Sequence, residues 1–357
     1  MRNALLAAAL GAAILASTPG DADACCPAPP PGKPAVNADQ TVILVWDPAT
    51  KTEHFVRRAS FRAESDDFGF LVPTPTQPEL AESGDAAFPF LAKLTEPEVR
   101  KVPAPSEGGC ATCAGASKSA ASVEVPRNVV VLEEKTVAGF QASVLEARSA
   151  SALVRWLEEH HYALSPEVEA WAKPYVDGGW KITALRVAKD ASGKRDERVA
   201  ASSLRLSFKA DALLFPYREP DPKAAGPLAA SGRLLRIYLA TDARYDGALT
   251  GAAWTGQTVW ANPIASADRA RLLAHLGLPD DAAPKSLFLT EIEDPWPRKV
   301  HPSDLVFSRR AGQETVKRPP VIEYVKDDRS DGTALAVALA ALAPWIASKL
   351  ARRRAAI

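Results

Sequence analysis

The sequence predicts an α+β fold built largely on antiparallel sheet with several short helices, bounded by an N-terminal signal peptide and a C-terminal hydrophobic helix. Segments with the two-residue period of a strand and segments of helical period follow one another without regular strand-helix alternation, which argues against a parallel α/β chain. Thirty prolines in 357 residues favour many short elements joined by firm turns over long helices. A composition of 47% hydrophobic and 24% charged residues is that of a globular protein with a large core, which excludes disorder throughout.

Residues 1–24 carry one cation, Arg2, then an uncharged run from Ala4 to Ala16, then a polar stretch ending Ala22-Asp23-Ala24. These are the three parts of a secretory signal, with cleavage expected after Ala24. Lipidation of the following Cys25 is the second reading, disfavoured because Asp23 stands where a lipid-modified signal has a small uncharged residue. Residues 25–316 read as an extracytoplasmic α+β domain, with candidate subdomain breaks at 103–122 or 188–200.

Residues 317–332 read as a charged juxtamembrane stalk, 333–350 as a transmembrane helix and 351–357 as a basic cytoplasmic tail. The run from Thr333 to Ser348, TALAVALAALAPWIAS, has no charge, and Lys349, Arg352, Arg353 and Arg354 follow it. Its length is near the lower limit for crossing the hydrocarbon core, at about 1.5 Å of rise per residue. Snorkelling by Lys349 and an interfacial Trp345 extend that reach. The positive-inside rule then leaves the domain outside, the orientation that the signal also demands. The expected location is therefore the cell membrane, single-pass, with the domain on the extracytoplasmic side.

The first strand is expected over Thr41–Trp46, where the residues are apolar and β-branched, with Asp47-Pro48 turning the chain. Phe55, Arg57, Ala59, Phe61 and Ala63 alternate as a half-buried strand, and the two runs read as a hairpin. Phe68–Val72 is a third strand, closed by PTPTQP, whose prolines forbid further ladder pairing. Asp85 is expected to cap a short helix reaching about Leu94. Strand character returns at Val123–Glu133 and Phe140–Leu145.

Leu153, Trp156, Leu157 and His160 then share one helical face, and a second helix places Val168, Trp171, Ala172 and Tyr175 on another. Trp180–Val187 and Leu204–Phe208 read as a hairpin around a charged loop. Leu234–Ala240 is a strand, Ser266 caps a helix ending near Gly277, and Leu287–Ile292 is the last clear strand.

The signal carries Arg2, Asp21 and Asp23 and the tail four cations, so the balanced 43 basic and 43 acidic residues leave the outer domain about three negative. No basic stripe exists there, and nucleic acid is disfavoured as a partner. The expected partners are the membrane, through the single anchor, and an envelope protein or polymer ligand. The four cysteines form two pairs, Cys25-Cys26 and Cys110 with Cys113. In an oxidising compartment two structural disulfides are the simplest reading, with three connectivities open. A four-thiolate zinc site is disfavoured because adjacent Cys25 and Cys26 fit two tetrahedral corners poorly, and a redox pair because Cys110 lies in a Gly/Ala/Ser loop rather than at a helix start.

Several phrases together resemble a bacterial family known as domain of unknown function 2330: DDFGFLVPTPTQPEL from Asp66, GFQASVLEARSASALVRWLEEHHY from Gly139, PYVDGGWKITALRV from Pro174, LLFPYREP, and FLTEIEDPWPR from Phe288. The resemblance spans most of the mature chain. It implies export, cysteines near the mature start and a hydrophobic tail, and it brings no activity or catalytic residue.

No nucleophile elbow, zinc-protease helix, phosphate-cradling glycine loop or calcium loop occurs, and no cofactor or metal is expected. Four residues are weak site candidates: Asp66, His160, Glu293 and His301. Glu158, Glu159, His160 and His161 put carboxylates and imidazoles one turn apart, but His160 shares the face of Leu153 and Trp156 and reads as a core boundary residue. Asp66 and Glu293 are equally explained as turn chemistry. Trp171, Tyr175 and Trp180 form a candidate aromatic platform, with the first two read as core by their helical spacing. The preferred function is a non-enzymatic binding or interaction domain; the alternatives are an extracytoplasmic hydrolase with a carboxylate/His site and a thiol-redox protein.

Overall fold

The structure, a computed structural model, describes residues 26–28, 35–36, 40–57, 62–63, 69–103, 129–162, 167–187, 203–221, 233–295, 297 and 300–325. In chain order the strands are β1 (Cys26–Ala28), β2 (Ala35–Val36), β3 (Gln40–Asp47), β4 (Thr52–Arg57), β5 (Arg62–Ala63), β6 (Gly69–Thr74), β7 (Glu79–Ser83), β8 (Val99–Pro103), β9 (Val129–Val137) and β10 (Phe140–Ala147). They continue as β11 (Lys181–Val187), β12 (Ser203–Lys209), β13 (Leu213–Phe215), β14 (Leu235–Thr241), β15 (Tyr245–Leu249), β16 (Gln257–Pro263), β17 (Phe288–Asp294), β18 (Leu305–Arg309) and β19 (Val321–Val325). The helices are α1 (Ala87–Leu94), α2 (Ala150–Glu159), α3 (Glu167–Asp177) and α4 (Ser266–Leu276).

β3 shows why the chain builds layers. Val42, Leu44 and Trp46 point to one side, Ile43 and Val45 to the other, and all five are buried. A strand apolar on both faces needs cover on both faces. Asp47 turns the chain by accepting from Ala49 N at 3.0 Å and the Thr50 hydroxyl at 2.7 Å, and β4 returns antiparallel beside β3. The seven-stranded sheet that results runs β16-β17-β14-β3-β4-β12-β7, antiparallel except where β14 lies parallel to β3.

Helices α1 and α4 cover one face of this sheet, packing Leu91, Leu272 and Leu276 on Ile43, Val45 and Tyr238. Its other face meets the five-stranded antiparallel sheet β1-β6-β11-β10-β9 and the three-stranded sheet β13-β18-β15. Leu44, Phe55, Phe70, Phe140, Phe215 and Phe307 fill that central layer. The far face of the five-stranded sheet carries Leu71, Leu145, Ile182 and Ala184 under α2 and α3. This sheet-rich α+β arrangement of helices, two layers of sheet and helices lies within one unit, Met1–Glu96 with Thr112–Lys317. A second unit, Pro97–Ala111 with Arg318–Ile357, contains a parallel pair, β8 with β19, bridged by Lys101 and Glu323 at 3.5 Å.

Five expectations change. β11 and β12 are not a hairpin: β11 pairs with β6 and β10, β12 with β4 and β7, and Leu185 of β11 meets Leu204, Leu206 and Phe208 of β12 across the central core from two different sheets. Pro73 does not end its strand. It pairs opposite Ile182, and among the described residues the ladder between β6 and β1 runs only from Gly69 to Leu71, short of the proline. Phe55 and Arg57 belong to a strand buried from Glu53 through Arg57, not half-buried. Neither Asp85 nor Ser266 caps its helix through its side chain; Asp85 accepts the Ser203 hydroxyl instead, and Ala265 holds the cap position before Ser266. Two more strands, β18 and β19, follow the one read as last, and β19 lies in the stretch read as a stalk.

Candidate functional site

Helices α2 and α3 cover only part of the five-stranded sheet, and the reason is the chemistry of its outer face. Along that face the apolar positions Ile182 and Ala184 give way to Arg186 on β11, paired across to Gln141 on β10 and Thr136 on β9. One row back, Ala184 pairs with Ser143, and Ser143 with Glu134. α2 stops where the polar rows begin. The result is a cleft of about 470 Å³ with the polar sheet rows as floor and the end of α2, Trp156 and Glu159 to Tyr162, as wall.

The end of α2 is a Schellman turn. Tyr162 N donates to Leu157 O at 2.8 Å and His161 N to Glu158 O at 3.2 Å, the two bonds of that motif. The motif needs a left-handed residue, usually glycine, and here His161 fills it at φ 61°. A left-handed backbone costs an L-residue about 1–2 kcal/mol. Strain of this kind collects at functional sites, and His161 is exposed and lines the cleft.

His160 stacks on Trp156, with ring centroids 3.8 Å apart, and its Nδ1 lies 2.7 Å from Trp156 O. A carbonyl only accepts, so Nδ1 carries the proton and Nε2 of the neutral ring is an acceptor. Arg186 closes the helix end from the sheet side, donating to His160 O and to Gln141 Oε1, both at 3.1 Å. A cation there complements the helix dipole as well as an orphan carbonyl. Tyr162 lies across β6, where a side chain on Gly69 would come within 2.6 Å of both its ring and Leu185 O. Burial raises the Tyr162 phenol well above its ordinary pKa, with Arg186 pulling it down and Glu134 pushing it up. Glu134 accepts the Ser143 hydroxyl at 3.3 Å.

Of the residues singled out from sequence, His160 lies in this cleft, half-buried as its helical face implied. Asp66, Cys25, Cys110 and Cys113 lie outside the described residues, and Cys26 contributes backbone to β1 opposite Leu71. Glu293 sits on the seven-stranded sheet, bound by Arg236 at 2.7 Å. His301 is buried against Tyr217, 4.3 Å between ring centroids, and its Nε2 lies 3.2 Å from Pro297 O. His160 and Glu293 therefore belong to different layers. Trp171 and Tyr175 are core residues, as their spacing predicts, and Trp171 donates to Arg218 O at 3.0 Å.

Arg186, Gln141, Glu134 and Tyr162 were not singled out from sequence. Arg186 reads there as an ordinary polar position of a strand, and only the pairing register joins it to α2.

Two other polar clusters are built into the same unit. Buried Asp294 accepts from the Tyr217 hydroxyl at 2.6 Å, Trp254 Nε1 at 2.9 Å and the Thr255 hydroxyl at 2.5 Å. Asp304 accepts from the Tyr175 hydroxyl at 2.7 Å and Tyr217 N at 2.9 Å, and burial raises its pKa. These networks tie strand ends together with every acid engaged. On β4, His54 Nδ1 meets the Ser207 hydroxyl at 2.8 Å and Nε2 meets Ala282 O at 3.2 Å. Burial, and then Arg205, lowers the His54 pKa to about 4. Among the described residues no group of three or more His, Cys, Asp or Glu is arranged to hold a metal ion.

The family model described as an uncharacterized protein conserved in bacteria, domain of unknown function 2330, matches residues 19–308. The chain belongs to this family. Every cleft residue named above falls inside the matched span. No curated protein matches the chain. Among solved structures, baculovirus P35 is similar over 83% of this chain and 100% of its own, at 8% identity and a TM-score of 0.33.

Proposed function

We propose that this family member is an exported, membrane-anchored envelope protein whose globular unit binds a ligand in the cleft at the end of α2. One observation carries the reading: a strained, non-glycine Schellman turn presents His160 and His161 over a polar patch of sheet that the helices leave open. Binding sites pair a preformed concavity with a few fixed polar groups, and Arg186, Gln141 and His160 are fixed by one another. Export and anchoring rest on the two ends of the sequence, which independently orient the domain outward. Among the described residues no helix is long and apolar enough to cross a membrane, and residues 333–350 lie outside them.

Two experiments test this. Mass spectrometry of the unreduced protein from membranes should find a start at unmodified Cys25 with all four cysteines oxidised; a start at Met1 in the soluble fraction would reject export. Titration with small molecules extracted from envelopes should move the amide resonances of Gln141–Ser143 and His160–Tyr162, whereas shifts confined to other strands would reject the cleft.

A hydrolase reading has one observation in its favour, the His54–Ser207 pair. Ala282 O fixes the imidazole so that Nδ1 accepts from the serine, the tautomer a general base needs. A base of pKa about 4 is a poor proton acceptor at neutral pH, and the pair is better explained as a cross-strand tie between β4 and β12. Labelling of Ser207 by a fluorophosphonate would reverse that order.

A further inference from the structure

We infer that the cleft ligand is a zwitterion of dipeptide length, with a carboxylate held by Arg186 and an ammonium held by Glu134. This rests on the cleft being the binding site and names the class of ligand it takes. Arg186 has five N–H donors, and the two bonds to His160 O and Gln141 Oε1 leave the rest of the fork for a planar anion. Those same two bonds hold the guanidinium still, which lowers the entropy lost on binding. Glu134 is exposed and its Oε1 takes the Ser143 hydroxyl, which leaves its second oxygen for a cation. His160 adds an acceptor at Nε2, because its Nδ1 proton is committed to Trp156 O.

The lining carries both signs. Arg186 and Glu134 meet the cleft from the outer face of the sheet, whereas Lys135 alternates to the other face of β9 with Glu133, its partner at 3.1 Å. A ligand of one sign would be repelled by Arg186 or by Glu134. A ligand carrying both signs meets none if its charges are spaced to match.

Strand geometry supplies the spacing. Arg186 is anchored through Gln141 and Glu134 through Ser143, two residues apart on β10. Two residues of extended strand span about 7 Å. The termini of an extended dipeptide lie about the same distance apart, while those of a single amino acid are far closer.

The test is isothermal titration of the full mature chain in detergent with alanine, alanyl-alanine, N-acetyl-alanyl-alanine and alanyl-alanine amide. Alanyl-alanine is expected to bind at least ten-fold tighter than the other three. In Arg186→Met the acid and the amide should bind equally, and in Glu134→Gln the free and acetylated peptides should bind equally. Glu134 is exposed, so Glu134→Gln keeps the test decisive if Arg186→Met lowers folding stability. Equal binding of free and blocked peptides to the unaltered chain overturns the inference. So does absence of alanyl-alanine binding while envelope extract still moves the Gln141–Ser143 amides, an outcome that leaves the cleft standing as a site. If neither ligand source moves those amides, the cleft reading itself falls.

Discussion

His161 carries the sharpest residue-scale consequence. Its left-handed backbone is the conformation glycine adopts at no steric cost, and glycine would complete the same Schellman turn. His161→Gly relieves about 1–2 kcal/mol of native strain against a loss of several tenths to about 1 kcal/mol through the freer unfolded chain. The variant should therefore be as stable as the parent or more stable by up to about 1.5 kcal/mol in urea unfolding, while losing affinity for the cleft ligand. A loss of stability would show that His161 is held there by contacts worth more than the strain.

Adjacent residues on β4 give opposite responses to pH. His54 has its pKa lowered to about 4 against an unfolded value near 6.5, so its contribution is intact above 6.5 and lost as pH falls towards 4. That interval corresponds to about 3 kcal/mol. Glu53 is fully buried, and burial raises its carboxyl well above 4.5 although Leu214 N donates to Oε2 at 3.1 Å. Its contribution is greatest below pH 4.5 and is lost as pH rises through the folded pKa. Glu53→Gln keeps the acceptor for Leu214 and removes the ionisation, so its melting temperature should exceed the parent's at pH 8 and match it at pH 4. His54→Asn should flatten the acid limb between pH 6.5 and 4. A parent-like acid limb in that variant would place the proton uptake elsewhere.

At the scale of elements, α2 is held at both ends by identifiable bonds. Ser149 accepts from Ala152 N at 3.1 Å at the start, and the Schellman turn with Arg186 closes the end. Ser149→Ala should cost about 1 kcal/mol in chemical denaturation without altering ligand affinity, since the cap lies at the opposite end from the cleft. A joint loss of stability and affinity would show that the whole helix, not its last turn, sets the cleft.

Elements announced by their own residues were legible in the sequence. β3 is a continuous apolar run, and α2 and α3 repeat apolar residues every turn. β15 and β16 were not, because YDGAL and QTVWANP carry no such pattern and become strands through their partners β18 and β17. Gly247 and Gly256 belong to the same region. A side chain at either would strike the Trp254 ring, within 2.5 Å and 2.3 Å respectively, so these glycines mark a packing constraint that local reading does not reveal.

The molecule as a whole is specified by pairings distant in sequence. β3 takes as its parallel neighbour β14, from Leu235 onward, and β17 then extends that sheet. The α+β class followed from local patterns, but the stacking of the sheets and the meeting of Arg186 with His160 follow from register alone. That is why the histidine of the candidate site could be picked out in advance and its arginine could not. The same logic predicts where the chain tolerates truncation. All strands of the first unit lie at or before Arg309, and the isolated bridge from Ala261 to Val316 is its last sheet contact. A chain ending after Lys317 should keep the circular dichroism spectrum and cooperative melting of the parent to within a few degrees. Ending after Pro263 removes α4, β17 and β18, which uncovers β14 on one edge and strips Leu272, Leu273 and Leu276 from the outer core. Loss of several buried leucines at about 2–5 kcal/mol each exceeds the stability of most domains, so that shorter chain should not fold. If the chain ending at Lys317 also failed to melt cooperatively, residues beyond it would be part of the folding unit and the division of the molecule into two would be wrong.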